Sequence, residues 1–320
     1  MRNFIVRIIS CFIFNPVARR SFRTRNIKLN KTQRQLRCLE DKLDYMQSIL
    51  LHSMDISKIP AAHGALRTVQ MLSLEILKTI DTVCKKHNIE YWLDFGTLLG
   101  AVRHGGFIPW DDDVDICMMA KDYEKFCAIA EKEFENTCCY FKRVPSQIGK
   151  VLHIEFVPTS DKEWKKFIYW QLKGKLCFAV DIFPYYPSDK SIEEINEAII
   201  KGKQAKSNAS RHLKSYKDFE MVEQVTNNAQ RHLISDNGRN IFLGLETIPY
   251  KPRVYPKTDF FPLKTLKFEG YDFPVPNKYD KLLNMVYGNY WEFPMHSHNH
   301  LDLGSLDLDE IDKLDKYKNF

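Results

Sequence analysis

Trp110-Asp111-Asp112-Asp113-Val114-Asp115 sets four carboxylates within five residues, and the chain turns apolar at once through Val114, Ile116, Cys117 and Met118. On a strand, residues i and i+2 point to one face, so Asp113 and Asp115 can reach a single ion. Crowded ionised carboxylates repel one another, and a hard divalent cation sharing a phosphate substrate relieves that repulsion. Asp111, Asp113 and Asp115 also fit the start of an EF-hand loop. That loop needs Gly at its sixth position and Glu at its twelfth, where this chain has Ile116 and Asp122, so it is excluded. The alternative left by the motif alone is a solvated acidic turn with no ligand.

Upstream, Asp94-Phe95-Gly96-Thr97-Leu98-Leu99-Gly100-Ala101-Val102-Arg103 follows a predicted strand and opens a short helix. Gly96 permits close backbone approach, and Thr97 can cap the helix so that its free amides face a phosphate. Arg103, two turns on, can clamp a phosphate or an acidic side chain. A strand, a glycine-led helix start and an Asp-x-Asp strand together suit a nucleotide di- or triphosphate. A third carboxylate is available at Asp181, which ends the apolar run Leu176 to Val180 and is costly to bury unless paired or metal-bound. It is read as a general base or a further ion ligand, against a salt bridge near the strand end. His296, His298 and His300 could line one face of a strand around Zn²⁺, but a loop of solvated histidines fits their surroundings better.

Positioning these groups requires a mixed architecture. Leu66, Val69, Leu72, Ile76, Ile80 and Val83 recur at helical spacing, with Lys85, Lys86 and His87 at the helix end. Strands are expected over 89–93, 114–119, 151–157 and 176–183, the last bounded by Pro184, and helices over 122–134 and 192–213. This is an α/β or α+β pattern whose strand order cannot be read.

Ahead of this domain, taken as 61–320, lie two segments. Residues 1–31 join the apolar run Phe4–Phe14, interrupted by Arg7, to Arg19, Arg20, Arg23, Arg25, Lys28 and Lys31. The run is too short to span a bilayer, lacks a cleavage site, and suits a helix lying in an anionic membrane surface. In 32–60, Leu36, Leu39, Leu43, Met46 and Leu50 step at coiled-coil spacing, leaving self-association through 33–50 and packing on the chain's own domain both open. The formal charge of +6 alone selects no partner. Eight cysteines without a Cys-x-x-Cys pair favour a reducing compartment, and the whole reading places the chain in the cytoplasm, peripheral on the inner face of the plasma membrane.

The block Tyr91 to His104, continued by Gly106-Phe107-Ile108-Pro109-Trp110-Asp111-Asp112-Asp113-Val114-Asp115-Ile116, closely resembles the signature of the LicD family. The resemblance extends through Val180-Asp181-Ile182-Phe183-Pro184, Phe268-Glu269-Gly270, Val275-Pro276 and Tyr287-Gly288, so it covers about residues 61–300. It implies a nucleotidyltransferase-like fold of the DNA polymerase beta type. It also implies transfer of a phospho-substituent, such as phosphocholine or an alditol phosphate, from a CDP-linked donor to a glycan or its lipid-linked precursor. Carried over, Asp113 and Asp115 match the metal pair, with Mg²⁺ or Mn²⁺ as the ion, and Asp181 matches the further acidic position. Gly96 and Thr97 match the phosphate-binding turn, and Arg103 and Asp111 match further motif positions. No nucleic acid partner is implied. The stretch 296–300 departs from the family pattern by lacking an Arg.

Two function classes follow: a metal-dependent phosphotransferase, and a non-catalytic, membrane-tethered scaffold of the same fold in a glycan-assembly complex. Retention of Asp113, Asp115 and Asp181 together favours the enzyme, since a degenerate member has no need of all three.

Overall fold

The computed structural model describes residues 32–39, 42, 45, 55–144, 148–168, 175–210, 219–245, 253–294 and 301–318. The chain divides into two compact units, Met1–Ile56 and Ser57–Phe320. In the first, residues 32–39, 42 and 45 are helical, with Leu36 and Leu39 exposed. The basic, apolar stretch 1–31, the seam residues Leu43, Met46 and Leu50, and the histidines at 296, 298 and 300 lie outside the described residues. Among those described, no helix is long and apolar enough to cross a membrane.

In the second unit, α1 (Gly64–Lys86) buries the expected stripe of Val69, Leu72, Ile76, Ile80 and Val83 and leaves Lys85 and Lys86 in its last turn, where the helix dipole favours cations. Next come β1 (Tyr91–Leu93), α2 (Phe95–Arg103), β2 (Val114–Met119) and α3 (Ala120–Glu133). The middle of the unit holds β3 (Cys139–Arg143), β4 (Gly149–His153), α4 (Asp161–Ile168), β5 (Ala179–Ser188), α5 (Ile192–Ser210) and α6 (Phe219–Gln230). β6 (Asn240–Leu243), β7 (Val254–Pro256), β8 (Lys264–Phe268), β9 (Tyr271–Val275), α7 (Tyr279–Tyr287) and α8 (Leu308–Asp315) complete it.

The sheet runs β1-β2-β5-β4-β3, with β6 also on β5 and β7 on β6. Among the described residues only β2 and β5 pair in parallel, and the other pairings in the sheet are antiparallel, so this is an α/β domain on a mixed sheet. The parallel pair is central and reads as near-continuous apolar sequence, as burial on both faces requires: Val114, Ile116, Cys117, Val180 and Ile182 are fully buried. Each such side chain contributes roughly 1.5–3 kcal/mol of transfer free energy.

Two expectations shift. The strand expected to stop at Pro184 continues to Ser188. Pro184 falls where the antiparallel partner of β5 changes from β4 to β6, and its carbonyl still accepts from Gly244 N at 3.2 Å. The missing proline N–H therefore costs no antiparallel ladder bond. The strand expected over 151–157 ends at His153, and Ile154–Phe156 turns as a 3₁₀ segment because His153 Nδ1 accepts from Glu155 N. The helix expected over 192–213 is described as far as Ser210.

Candidate functional site

The site is assembled on the start of β2. Asp94 N donates to Asp115 O at 3.2 Å, and Asp115 N donates to Thr97 Oγ1 at 2.8 Å, so the first turn of α2 grips Asp115 by both backbone groups. Thr97 is therefore not the helix cap. Asp94 caps α2, its carboxylate accepting from Phe95 N at 2.7 Å, and Thr97 lies inside the helix with its hydroxyl committed to Asp115. The Asp94 carboxylate is buried, and it also meets Arg253 Nη1 at 2.9 Å and the Tyr185 hydroxyl at 3.1 Å. Burial opposes the Arg253 charge, but Asp94 together with Tyr185, Tyr287 and Tyr255 outweighs it and leaves the guanidinium raised above its ordinary value.

Asp111 to Asp113 lead from the turn at Pro109 and Trp110 into β2. Asp111 N donates to Ile108 O at 3.0 Å, and buried Gln70 Nε2 of α1 donates to Asp111 O at 2.8 Å and Ile108 O at 3.3 Å. The Asp111 carboxylate lies against Gly96, where a Cβ would come within 2.6 Å of its Oδ2. The close approach that Gly96 allows is thus to Asp111, whose charge sits at the positive end of α2. Asp112 is buried and accepts from Leu301 N at 2.6 Å. Asp111, Asp112 and Asp113 each offer an oxygen within 4.8 Å of the others, an all-oxygen set that fits a hard divalent cation.

Asp181 is brought to the same place by register. β2 pairs with β5 so that Asp115 faces Asp181, and β5 pairs with β4 so that Asp181 faces Lys150. Lys150 Nζ lies 2.6 Å from each Asp181 oxygen, and both residues are buried. Asp112, Asp113, Lys150 and Asp181 line one small cavity together with Phe167 and Leu301. The structure thus sets Asp115 beside Asp181 on the parallel strand pair, clusters Asp111, Asp112 and Asp113 just ahead of β2, and joins Asp113 and Asp181 with Lys150 at the cavity. No local pattern marks Lys150, because only the β4–β5 register pairs it with an aspartate.

Arg103 is turned elsewhere. It is buried, donates through Nη1 to Tyr290 O at 2.7 Å and through Nε to His104 Nε2 at 3.0 Å, and lies 5.8 Å from the Trp110 ring centroid. Burial lowers it to about 10, while Tyr287 and Asp111 act the other way. Burial and then the Arg103 charge lower His104 to about 4, so the imidazole is neutral and accepts. Arg103 thus meets a carbonyl, an imidazole and a ring, and of the acidic side chains the Asp111 charge acts on it.

The loop 104–109 is braced from the β8–β9 turn. Glu269 takes Arg67 Nη1 at 3.0 Å, Arg67 Nη2 at 2.6 Å and Phe107 N at 3.0 Å, and its own amide donates to Gly105 O at 2.9 Å. Both residues of that turn, Glu269 and Gly270, have positive φ (51° and 82°), which tight hairpins require. Sequence reasoning missed Gln70, Lys150 and Arg253. A signal existed for Gln70, a polar residue in register with buried Leu74 and Leu77 on the apolar face of α1.

Comparison with known proteins places the site within a matched domain. Residues 88–223 match the family described as LicD/FKTN/FKRP, nucleotidyltransferase domain. The lipopolysaccharide cholinephosphotransferase LicD of Haemophilus influenzae is 26% identical over 251 residues, covering 72% of this chain and 92% of that protein. An uncharacterized protein of Rickettsia typhi is 34% identical over 117 residues, 36% of this chain and 33% of its own length. The human ribitol 5-phosphate transferase FKRP is 44% identical over 48 residues, 15% of this chain and 10% of its own. With the acidic turn, the α2 start and these likenesses together, residues 88–223 of the chain form a LicD/fukutin-related domain.

Proposed function

We propose that the chain moves a phospho-substituent, phosphocholine or an alditol phosphate, from a CDP-linked donor to a hydroxyl of a cell-surface glycan or its lipid-linked precursor. The observation that supports this best is the alignment of Asp115 with Asp181 across the parallel strands, with Asp113 beside them at the cavity. Two relatives named for transfer of cholinephosphate and ribitol 5-phosphate point the same way. The reading brings with it a nucleotidyltransferase-like fold.

Asp113 and Asp115, with Asp111 alongside, would hold Mg²⁺ or Mn²⁺; bound there, the ion neutralises charge on the donor diphosphate and favours departure of CMP. The acceptor oxygen bonds to the distal phosphorus, the bond from that phosphorus to the bridging oxygen breaks, and CMP leaves with the electron pair. An aspartate of the cluster takes the hydroxyl proton, and burial beside the sheet excludes water from the competing hydrolysis. Gly96 and Thr97 shape the turn that faces the donor.

Incubation with a panel of CDP-linked donors, Mg²⁺ or Mn²⁺ and a glycan acceptor, scored by mass for CMP release and for the acceptor's gain, tests the reading. Transfer from one donor that stops on chelation is expected. The absence of CMP release from every CDP-linked donor would overturn it. The reading extends to residues 1–31 as an attachment to the inner face of the plasma membrane. Deleting them should move the protein from vesicle-bound to free in a flotation assay with anionic vesicles, and unchanged flotation would sink that extension.

A further inference from the structure

Nucleotidyl and phosphoryl transfer commonly use a pair of ions a few ångströms apart. In this site the position beside the third carboxylate is already taken by a side chain. We propose that the Lys150 ammonium stands in the place of a second divalent cation, so that the site takes a single Mg²⁺ or Mn²⁺ per chain; this rests on the metal-dependent reading above.

Three observations carry it. Lys150 Nζ sits between both oxygens of Asp181 at 2.6 Å each, the position from which a second ion would be chelated by that carboxylate. Its placement is set by the fold and not by a mobile surface chain: Lys150 is 3% exposed, pairs with Asp181 on one side and Lys142 on the other through the ladder, and holds its Nζ 4.9 Å from the Phe167 ring centroid. Finally, β2, β5 and β4 present Asp115, Asp181 and Lys150 as a row across three adjacent strands, while Asp111, Asp112 and Asp113 cluster at the near end. The row is acidic at one end and cationic at the other. A divalent ion at the acidic end is compensated by the motif aspartates. A second one at Asp181 would have to share its oxygens with an ammonium in a poorly solvated place, where like charges repel strongly.

Lys150 is therefore assigned as a positioning and charge-balancing residue. It orients the Asp181 carboxylate, and it presents a fixed positive charge to the cavity shared with Asp113.

The test is Mn²⁺ binding to the full chain, followed by the paramagnetic resonance of free Mn²⁺ during titration. Wild type should take one ion per chain. Lys150→Met removes the ammonium but keeps the stem, and should admit a second ion, raising the stoichiometry to two. The Lys150→Met/Asp181→Asn double variant replaces the buried ion pair by a neutral one, an exchange such sites commonly tolerate. It should bind one ion with wild-type affinity, even where the single variant fails to fold. Two ions on wild type, one ion of unchanged affinity on a folded Lys150→Met protein, or a tenfold loss of affinity in the double variant would overturn the assignment of Lys150. No Mn²⁺ on wild type would instead overturn the metal-dependent reading itself, and this inference with it.

Discussion

The Thr97 hydroxyl accepts a hydrogen bond from the Asp115 amide at 2.8 Å, which ties the first turn of α2 to the strand that bears the acidic motif. Thr97→Val keeps the shape but leaves that amide without its acceptor. A loss of about 1–3 kcal/mol in stability is expected, with transfer falling about tenfold as Asp115 shifts. Thr97→Ser should restore both. Melting and turnover of the two variants check it, and a Thr97→Val protein indistinguishable from wild type would show that the bond does not position Asp115.

Arg103 donates to the Tyr290 carbonyl and to His104, both of which lysine serves poorly because it lacks the planar fork. Arg103→Lys should lower the melting temperature by several degrees while the donor KM stays within about threefold. A KM raised tenfold with an unchanged melting temperature would put the guanidinium on the donor phosphates after all.

His104 gives a pH signature. Its folded-state pKa of about 4 lies below the ordinary 6.5, so the unfolded chain binds the proton first as pH falls. The stability this group contributes is therefore complete above pH 6.5 and is lost progressively as pH falls toward 4. His104→Gln keeps an acceptor for Arg103 without a titrating ring, and its melting temperature should fall less than that of wild type between pH 7 and pH 5. Parallel curves would remove His104 as the source.

The motif aspartates proposed to carry the chemistry were legible because they are close in sequence. Asp115 sits on a short strand whose limits, Val114–Met119, can be read from its apolar run, and Asp113 immediately precedes it. The partners that hold them were not. Asp94 displaced Thr97 as the cap because the helix begins at Phe95, with φ of 49°, and no propensity announces a non-glycine residue there. Lys150 meets Asp181 through strand register across 31 residues, and Arg253 reaches Asp94 across 159. Glu269 was visible as part of a recurring motif, but its job, bracing the 104–109 loop, depends on the hairpin turn that carries it.

The Arg253–Asp94 pair is buried, and removing one partner strands the other's charge. Arg253→Met should cost about 3–5 kcal/mol in a denaturant melt, whereas Arg253→Met combined with Asp94→Asn should recover part of it. Purely additive losses would mean that the two do not act as a pair.

The central claim is that Asp113 and Asp115 carry a metal-dependent transfer. It is tested most directly by CMP release from the donor that wild type uses, in saturating Mn²⁺, with Asp113→Asn and Asp115→Asn proteins confirmed folded by circular dichroism. Each substitution removes a ligand charge from the ion and is expected to lower turnover roughly a thousandfold or more. Turnover within threefold of wild type in either folded variant would contradict the account.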